Sequence, residues 1–104
     1  AHKISKEAKM LEDCGVFSLV LEMVPSELAK KITEEVEIPT IGIGAGPHTS
    51  GQVLVFQDLL GMNPVFNPTF LRKYIDGFSI IQKALNNYDK EVKSGKFPNH
   101  KESF

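Results

Sequence analysis

The hydrophobic and polar positions of the chain switch repeatedly between a helical period and short continuous apolar runs. A helix is predicted over residues 5–14, with Ser5 as its N-cap and Gly15 just beyond its end. The apolar run at residues 16–21 predicts a buried strand, and Pro25 suits the first turn of a second helix. Apolar residues at helical spacing mark the inner face of that second helix: Leu28, Ala29, Ile32 and Val36.

Two more strands are predicted at residues 40–43 and 53–56, and the second of these ends near Asp58. A turn at Gly44-Ala45-Gly46-Pro47 separates them. Because helices alternate with strands, the pattern predicts an α/β fold with a parallel sheet that helices cover on both faces. The connection over residues 44–52 is short, since a parallel crossover usually takes about a dozen residues. Any helix in it must therefore be a single turn.

The pattern changes after Gly61. Asn67-Pro68 predicts the start of a helix that runs to about Tyr74, and Gly77 interrupts the pattern. A long amphipathic helix is predicted over residues 80–92, and its apolar stripe needs a partner surface. The polar tail that follows it is predicted to be extended.

The composition is that of an ordinary globular domain, and it argues against several classes of function. The 104 residues are 41% hydrophobic and 24% charged, with a net charge of −1, so the charge balance favours neither nucleic acid nor an anionic membrane as a partner. Cys14 is the only cysteine, which excludes an intrachain disulfide, indicates a reducing compartment and predicts a cytoplasmic protein. We expect Cys14 to be a small buried residue rather than a nucleophile. The three histidines show no metal-ligand spacing: His2, His48 and His100.

Glu22 is the most informative single residue, because it directly follows the first apolar run and precedes Met23-Val24-Pro25. Enzymes with parallel sheets hold their catalytic residues at the carboxyl ends of the strands. Desolvation among leucine and methionine neighbours would make this carboxylate a usable proton acceptor near neutral pH. The alternative is structural: Glu22 only caps the helix that begins near Pro25.

The segment Gly42-x-Gly44-x-Gly46 does not form a nucleotide-binding fingerprint, because Pro47 and Thr49 stand where a G-x-G-x-x-G motif needs its last glycine. A tight glycine turn at a strand end lets backbone N–H groups approach a ligand closely. Alternatively, the glycines only make room for neighbouring backbone. His48, in the same loop, either hydrogen-bonds a ligand or is solvated.

Asp58 is predicted to end the third strand, at the level that Glu22 has on the first. Two carboxylates on one rim could share general acid–base chemistry or hold a metal ion. The alternative is that Asp58 is an N-cap for the segment that begins at Leu59-Leu60.

Several blocks of the sequence together resemble one enzyme family. The most diagnostic block is LVLEMVPSELA at residues 19–29, and IPTIGIGAGP at residues 38–47 follows it. Shorter blocks continue in the same order: GQVLV at 51–55, Asp58 with Leu60-Gly61, SGKFP at 94–98 and Ser103-Phe104. Over nearly its whole length the chain resembles ketopantoate hydroxymethyltransferase.

This resemblance implies a (β/α)8 TIM barrel of well over twice this length. The chain would be one segment, residues 1–104, forming the C-terminal portion of the barrel. Residues 1–66 would supply the last three βα strands, and residues 67–104 the terminal helices and tail. The start at Ala1, without methionine and close to a helix, is what we expect of an internal piece of a longer protein.

The resemblance also implies a reaction and its participants. The family transfers a hydroxymethyl group from 5,10-methylenetetrahydrofolate to 3-methyl-2-oxobutanoate, using Mg²⁺, in pantothenate biosynthesis. By the family's motif Glu22 is the catalytic base, and Gly44, Ala45 and Gly46 are expected to line the substrate or folate pocket. The metal ligands lie on earlier strands in the family, so no metal ligand is assigned here and the isolated chain is expected to be inactive.

The expected partners are the rest of the barrel, the two small molecules and further copies of the protein in a homo-oligomer. Neither nucleic acid nor a membrane is expected. A second hypothesis from a different class is a non-catalytic α/β binding or oligomerisation module, because parallel strands with open edges recruit partners.

Overall fold

The computed structural model describes residues 2–104, with side chains from Lys3 onward, so Ala1 and the His2 side chain lie outside the described residues. The chain contains two compact units, one made of residues up to Val55 together with Pro68–Leu71, the other of Phe56–Asn67 and Arg72–Phe104. The described elements, in chain order, are α1 (His2–Asp13), β1 (Leu19–Glu22), α2 (Ser26–Glu35), β2 (Thr40–Ile43), β3 (Gly51–Gln52), α3 (Phe56–Leu59), α4 (Gly77–Lys93) and a 3-10 turn (His100–Glu102).

The first unit is built on a three-stranded sheet with the order β1-β2-β3. Both pairings are parallel, which confirms the predicted α/β class with a parallel sheet. Along β1 and β2 the register places Leu19 beside Thr40 and Glu22 beside Ile43. The carboxyl ends of these two strands therefore lie at the same edge of the sheet.

The hydrophobic core lies between the sheet and the two helices α1 and α2. Leu19 and Leu21 of β1 point into it, whereas Val20 between them is 65% exposed. The prediction that helices cover both faces of β1 is therefore wrong for this chain, because α1 and α2 pack on the Leu19–Leu21 face alone. The remaining core residues come mostly from the helices and the loops after β1 and β2: Ala8, Val24, Ala29, Ile32, Val36 and Ala45. The predicted inner face of α2 is confirmed by Ala29, Ile32 and Val36.

Glu12 ties the end of α1 to the connection between α2 and β2. Its carboxylate accepts hydrogen bonds from the backbone N–H groups of Glu37 and Ile38 and from the Lys9 ammonium. The hydrogen bond from Lys9, followed by the one from the Glu37 N–H, lowers the pKa of Glu12 below its ordinary value, because each favours the ionised form.

The third strand was predicted in the wrong place. Gly51 and Gln52 pair with β2, and the Val53 N–H still donates to the Gly42 carbonyl at 3.0 Å, but the apolar residues after it leave the ladder. Val53 and Val55 are 45% and 50% exposed. An apolar strand of this kind needs cover on both faces, and the chain provides no such cover at these residues.

In the second unit α4 confirms the long amphipathic helix, which begins at Gly77 rather than being interrupted there. Asp76 is its N-cap and accepts a hydrogen bond from the Ser79 N–H at 3.2 Å. The helix predicted over residues 67–74 is absent. The Tyr74 and Gly77 N–H groups instead donate to carbonyls at the end of α3, at 2.8 Å each, which holds this stretch out of a helix.

Three smaller predictions are also corrected. Ser5 lies inside α1 rather than at its N-cap, because the helix already includes His2. Cys14 follows the last residue of α1 and is exposed rather than buried. The tail is not fully extended, because Asn99 and Glu102 form a capping box around the 3-10 turn. Gly15 does follow α1 in a left-handed conformation with φ of +91°, as predicted.

Candidate active site

The candidate site is the carboxyl edge of β1 and β2. Glu22 is the last residue of β1 and is paired with Ile43, the last residue of β2. Gly44 follows Ile43 directly, so the predicted base and the predicted glycine turn lie on adjacent strands. Neighbouring strands are about 4.8 Å apart, which places both features within reach of one small ligand.

Glu22 lies on the face of the sheet opposite the core. Burial alternates along β1, so Glu22 shares its face with the exposed Val20, and Glu22 is itself exposed. The expected desolvation among apolar neighbours is thus not found within this chain. The helix-cap alternative is not supported either, because Pro25 occupies the N-cap of α2 and no side chain accepts a hydrogen bond there. Glu27 provides the acidic residue of the first turn of α2.

The glycine turn is held tightly against the rest of the first unit. Gly44 and Gly46 both have positive φ angles, of +63° and +78°. A Cβ on Gly46 would lie 2.2 Å from the Ser26 Oγ at the start of α2, so the turn packs directly on that helix. Ala45 between them is 1% exposed and belongs to the core. Ala45 therefore anchors the turn, and the two glycines on either side of it are less buried.

Sequence reasoning missed Gln52, which fixes the same turn from the other side. Its Nε2 donates to the Gly46 carbonyl at 2.8 Å and to the Thr49 Oγ1 at 2.9 Å. Thr49 in turn donates to the Gly51 carbonyl at 2.8 Å. In the sequence Gln52 stands directly before the apolar run at residues 53–56, but nothing there indicates which groups its side chain reaches.

A network of hydroxyl groups around the buried Thr40 was also missed. Thr40, fully buried at the start of β2, exchanges hydrogen bonds with Ser50: the Ser50 N–H donates to the Thr40 Oγ1, and the Thr40 N–H donates to the Ser50 Oγ. The Thr33 hydroxyl donates to the Ala29 carbonyl, so Thr40 donates in the 2.8 Å contact between the two threonine hydroxyls. This network fixes the point where the loop after β2 returns to the sheet.

With the geometry established, comparison with known proteins identifies the family. The family model described as ketopantoate hydroxymethyltransferase matches residues 1–100. The chain belongs to the ketopantoate hydroxymethyltransferase family.

Relatives in this family are similar along almost the whole chain. The proteins named 3-methyl-2-oxobutanoate hydroxymethyltransferase from Coxiella burnetii (strain CbuG_Q212) and Bdellovibrio bacteriovorus are 57% and 58% identical, covering 94% and 98% of this chain. The protein of the same name from Methylobacterium sp. (strain 4-46) is 54% identical over all 104 residues. The chain spans 36–39% of the length of these relatives.

The other residues considered for ketopantoate hydroxymethyltransferase chemistry are not at the ends of strands. Asp58 is in the first turn of α3 in the second unit, so it neither ends a strand nor stands before the helix as an N-cap. His48 is exposed in the loop after β2. Among the described side chains, from Lys3 to Phe104, no three acidic, histidine or cysteine residues gather into a group that could hold a metal ion. None of the helices described is both long and apolar enough to cross a membrane.

Proposed function

We propose that the protein carrying this chain transfers a hydroxymethyl group from 5,10-methylenetetrahydrofolate to 3-methyl-2-oxobutanoate. The products are 2-dehydropantoate and tetrahydrofolate, and water supplies the oxygen of the new hydroxyl group. One observation carries the proposal: in a chain of this family, a carboxylate ends a parallel strand beside a glycine turn. This is the edge where α/β enzymes place their catalytic groups.

The role proposed for Glu22 is that of general base. C3 of the substrate lies next to the keto group, so the electron pair left when its proton is removed delocalises onto the keto oxygen as an enolate. The Glu22 carboxylate takes that proton, and C3 then forms the new bond to the one-carbon unit. A carboxylate suits this role when its site excludes water and the substrate is held within hydrogen-bond reach.

The chain is proposed to form the C-terminal portion of a (β/α)8 barrel, with residues 1–66 as βα units and residues 67–104 as terminal helices and tail. The parallel sheet supports this, since α1 and α2 cover one face and the other face is open. In a barrel the helices lie outside and the opposite face of the sheet lines the interior. Glu22 would then point into the barrel mouth, and the remaining strands would supply the desolvation that it lacks here.

The magnesium expected for the family is not accounted for by this chain. Glu22 is a single carboxylate, and the described residues contain no group of three potential ligands around it or elsewhere. The residues present therefore do not fit a magnesium site by themselves. Its ligands would come from the part of the relatives' length that this chain does not span.

Gly44, Ala45 and Gly46 are proposed to form one wall of the substrate or folate pocket. The half-buried Gly44 and the exposed Gly46 offer backbone atoms at the edge where Glu22 stands. The buried Ala45 contributes by holding the turn in place.

Replacing Glu22 by glutamine in the full-length protein tests the proposal, because glutamine keeps the shape of the side chain and removes its basicity. Turnover should fall by about 10²–10⁴-fold, the usual contribution of a general base. Exchange of the C3 proton of 3-methyl-2-oxobutanoate for deuterium, followed by NMR, should slow in parallel. Glu34→Gln, at an exposed position of α2, is the matched control and should leave both rates unchanged. Near-normal exchange in Glu22→Gln would exclude Glu22 as the base.

The isolated chain offers a second check. With Mg²⁺ and both substrates added, it should show no turnover, because it lacks the metal ligands and the cover over Glu22. Robust turnover by the 104-residue chain alone would contradict the view that the metal ligands and the cover over Glu22 are missing from it.

The protein is proposed to be cytoplasmic and to self-associate, and α4 supports the self-association. Five large apolar side chains of this helix are between 42% and 62% exposed: Ile80, Ile81, Leu85, Tyr88 and Val92. A helix face of this kind needs a partner, and a homo-oligomer provides one. Replacing Leu85 by glutamate should reduce the mass of the full-length protein in solution. An assembly without any turnover would instead favour the non-catalytic oligomerisation module.

A further inference from the structure

Met23, the residue after Glu22, has a backbone conformation that few residues other than glycine adopt. Its φ angle is +54°, and it is the only described residue other than glycine with a positive φ. The left-handed region is unfavourable for residues that carry a Cβ, and such conformations persist only when the surroundings impose them.

The consequence of this conformation is a break in the alternation of side chains. In β1, Leu19 and Leu21 are buried while Val20 and Glu22 are exposed. Continued alternation would bury residue 23 and expose residue 24. The structure shows the reverse, with Met23 63% exposed and Val24 8% exposed. The left-handed turn thus presents two successive side chains, Glu22 and Met23, at the open edge of the sheet while Val24 enters the core.

Two contacts hold this turn in place. The Met23 N–H donates to the Ile43 carbonyl at 2.9 Å, which extends the ladder by one residue and fixes the peptide plane that joins it to Glu22. The Met23 sulfur lies 2.9 Å from the position that a Cβ on Gly44 would take. The Phe70 ring lies 3.2 Å from the same position. The thioether is therefore seated against Gly44, where only a glycine leaves room for it.

We propose that Met23 is a positioning residue for Glu22: its side chain, seated over Gly44 next to Phe70, fixes the left-handed turn that directs the Glu22 carboxylate to the substrate. The inference rests on the proposed function, since it assigns to Met23 the task of holding the base. Small displacements of a catalytic group lower turnover strongly, by up to about 100-fold for 1 Å.

Three substitutions in the full-length protein separate the backbone from the side chain. Met23→Gly and Met23→Asn both accept a left-handed backbone, but neither has an apolar side chain to seat over Gly44. Met23→Leu keeps an apolar side chain of similar volume. We expect kcat to fall about 10–100-fold in the glycine and asparagine variants, with KM for 3-methyl-2-oxobutanoate little changed. Met23→Leu should keep most of the kcat of the unchanged protein.

Thermal unfolding distinguishes positioning from a merely structural role. Glycine adopts a φ of +54° without strain, so Met23→Gly should keep the unfolding midpoint of the unchanged protein while it loses kcat. Full kcat in the glycine or asparagine variant would overturn the inference, as would a loss of kcat in Met23→Leu as large as in Met23→Gly. If the unchanged protein makes 2-dehydropantoate, these results count against Met23 alone. If the unchanged protein makes none, the proposed function fails and this inference fails with it.

Discussion

Replacing Gly46 by alanine should destabilise the first unit through two separate effects. The φ angle of Gly46 is +78°, where an L-residue costs about 1–2 kcal/mol. The new Cβ would also lie 2.2 Å from the Ser26 Oγ, 2.6 Å from the Ser26 Cβ and 3.1 Å from the Ser26 Cα. Because a backbone atom is among these neighbours, rotation of the serine side chain does not remove the overlap. Overpacking of this kind costs about 1–3 kcal/mol, so the expected loss is about 2–5 kcal/mol in total.

Gly15→Ala is the matched control, because Gly15 lies in the same unit and has a φ of +91° with no atom within 4 Å of an added Cβ. It should lose only the backbone contribution, about 1–2 kcal/mol. Urea unfolding, followed by circular dichroism, gives both losses from the midpoints and the slope m. The difference between the two variants measures the overlap with Ser26.

A double variant sharpens the assay. Ser26→Gly removes the Ser26 Oγ and Cβ, so Gly46→Ala combined with Ser26→Gly should recover most of the additional loss when the four proteins are compared as a double-mutant cycle. If Gly46→Ala costs no more than Gly15→Ala, or if the cycle shows no coupling, the glycine turn is not held against α2. The account of how the turn is positioned would then be wrong.

Two further predictions concern the contacts that hold the first unit together. Glu12→Gln should lower the free energy of unfolding at pH 7, and the difference from the unchanged protein should shrink at pH 3. The reason is that folding depresses the pKa of Glu12. Its stabilisation is therefore present above the unfolded pKa of about 4.3 and is lost as pH falls through the lower folded pKa. A difference that does not change between pH 7 and pH 3 would contradict this. Thr40→Val should cost about 1–3 kcal/mol in the same urea assay, because it removes a fully buried hydroxyl that bonds to both the Thr33 hydroxyl and the Ser50 N–H. Ser50→Ala should cost a similar amount, because it leaves the N–H of the buried Thr40 without its acceptor, and two losses near zero would contradict the role of this network.

The sequence predicted the parts of the fold that depend on local periodicity. α2 and α4 were predicted correctly because their apolar residues recur at a helical period over several turns, and β2 was predicted over the same residues that the structure shows. The predicted third strand and the helix over residues 67–74 failed for different reasons. The apolar run at residues 53–56 suggested a buried strand, but Val53 and Val55 have no cover. Asn67-Pro68 suggested the start of a helix, but the Tyr74 N–H donates to the distant Leu59 carbonyl instead.

In the candidate site, too, the sequence predicted some features and missed others. Glu22 and Gly44 were expected at one edge of the sheet, and the register between β1 and β2 brings them together. Asp58 was expected at that edge as well, but α3 begins at Phe56 and takes Asp58 into its first turn. Gln52 and the Thr40–Ser50 pair were not foreseen, because a single polar residue in a chain does not indicate which backbone group it will reach.

The sequence by itself determined the alternation of helices and strands, the resemblance to a family and the carboxylate at the end of the first apolar run. These follow from local pattern and from residue order, which do not depend on distant contacts. Only the tertiary structure decided which face of β1 is covered and that Met23 is left-handed with its sulfur against Gly44. Those features arise from packing between segments far apart in the chain. The register of the sheet brings Met23 beside Gly44, and the absence of a side chain at Gly44 leaves room for the Met23 sulfur.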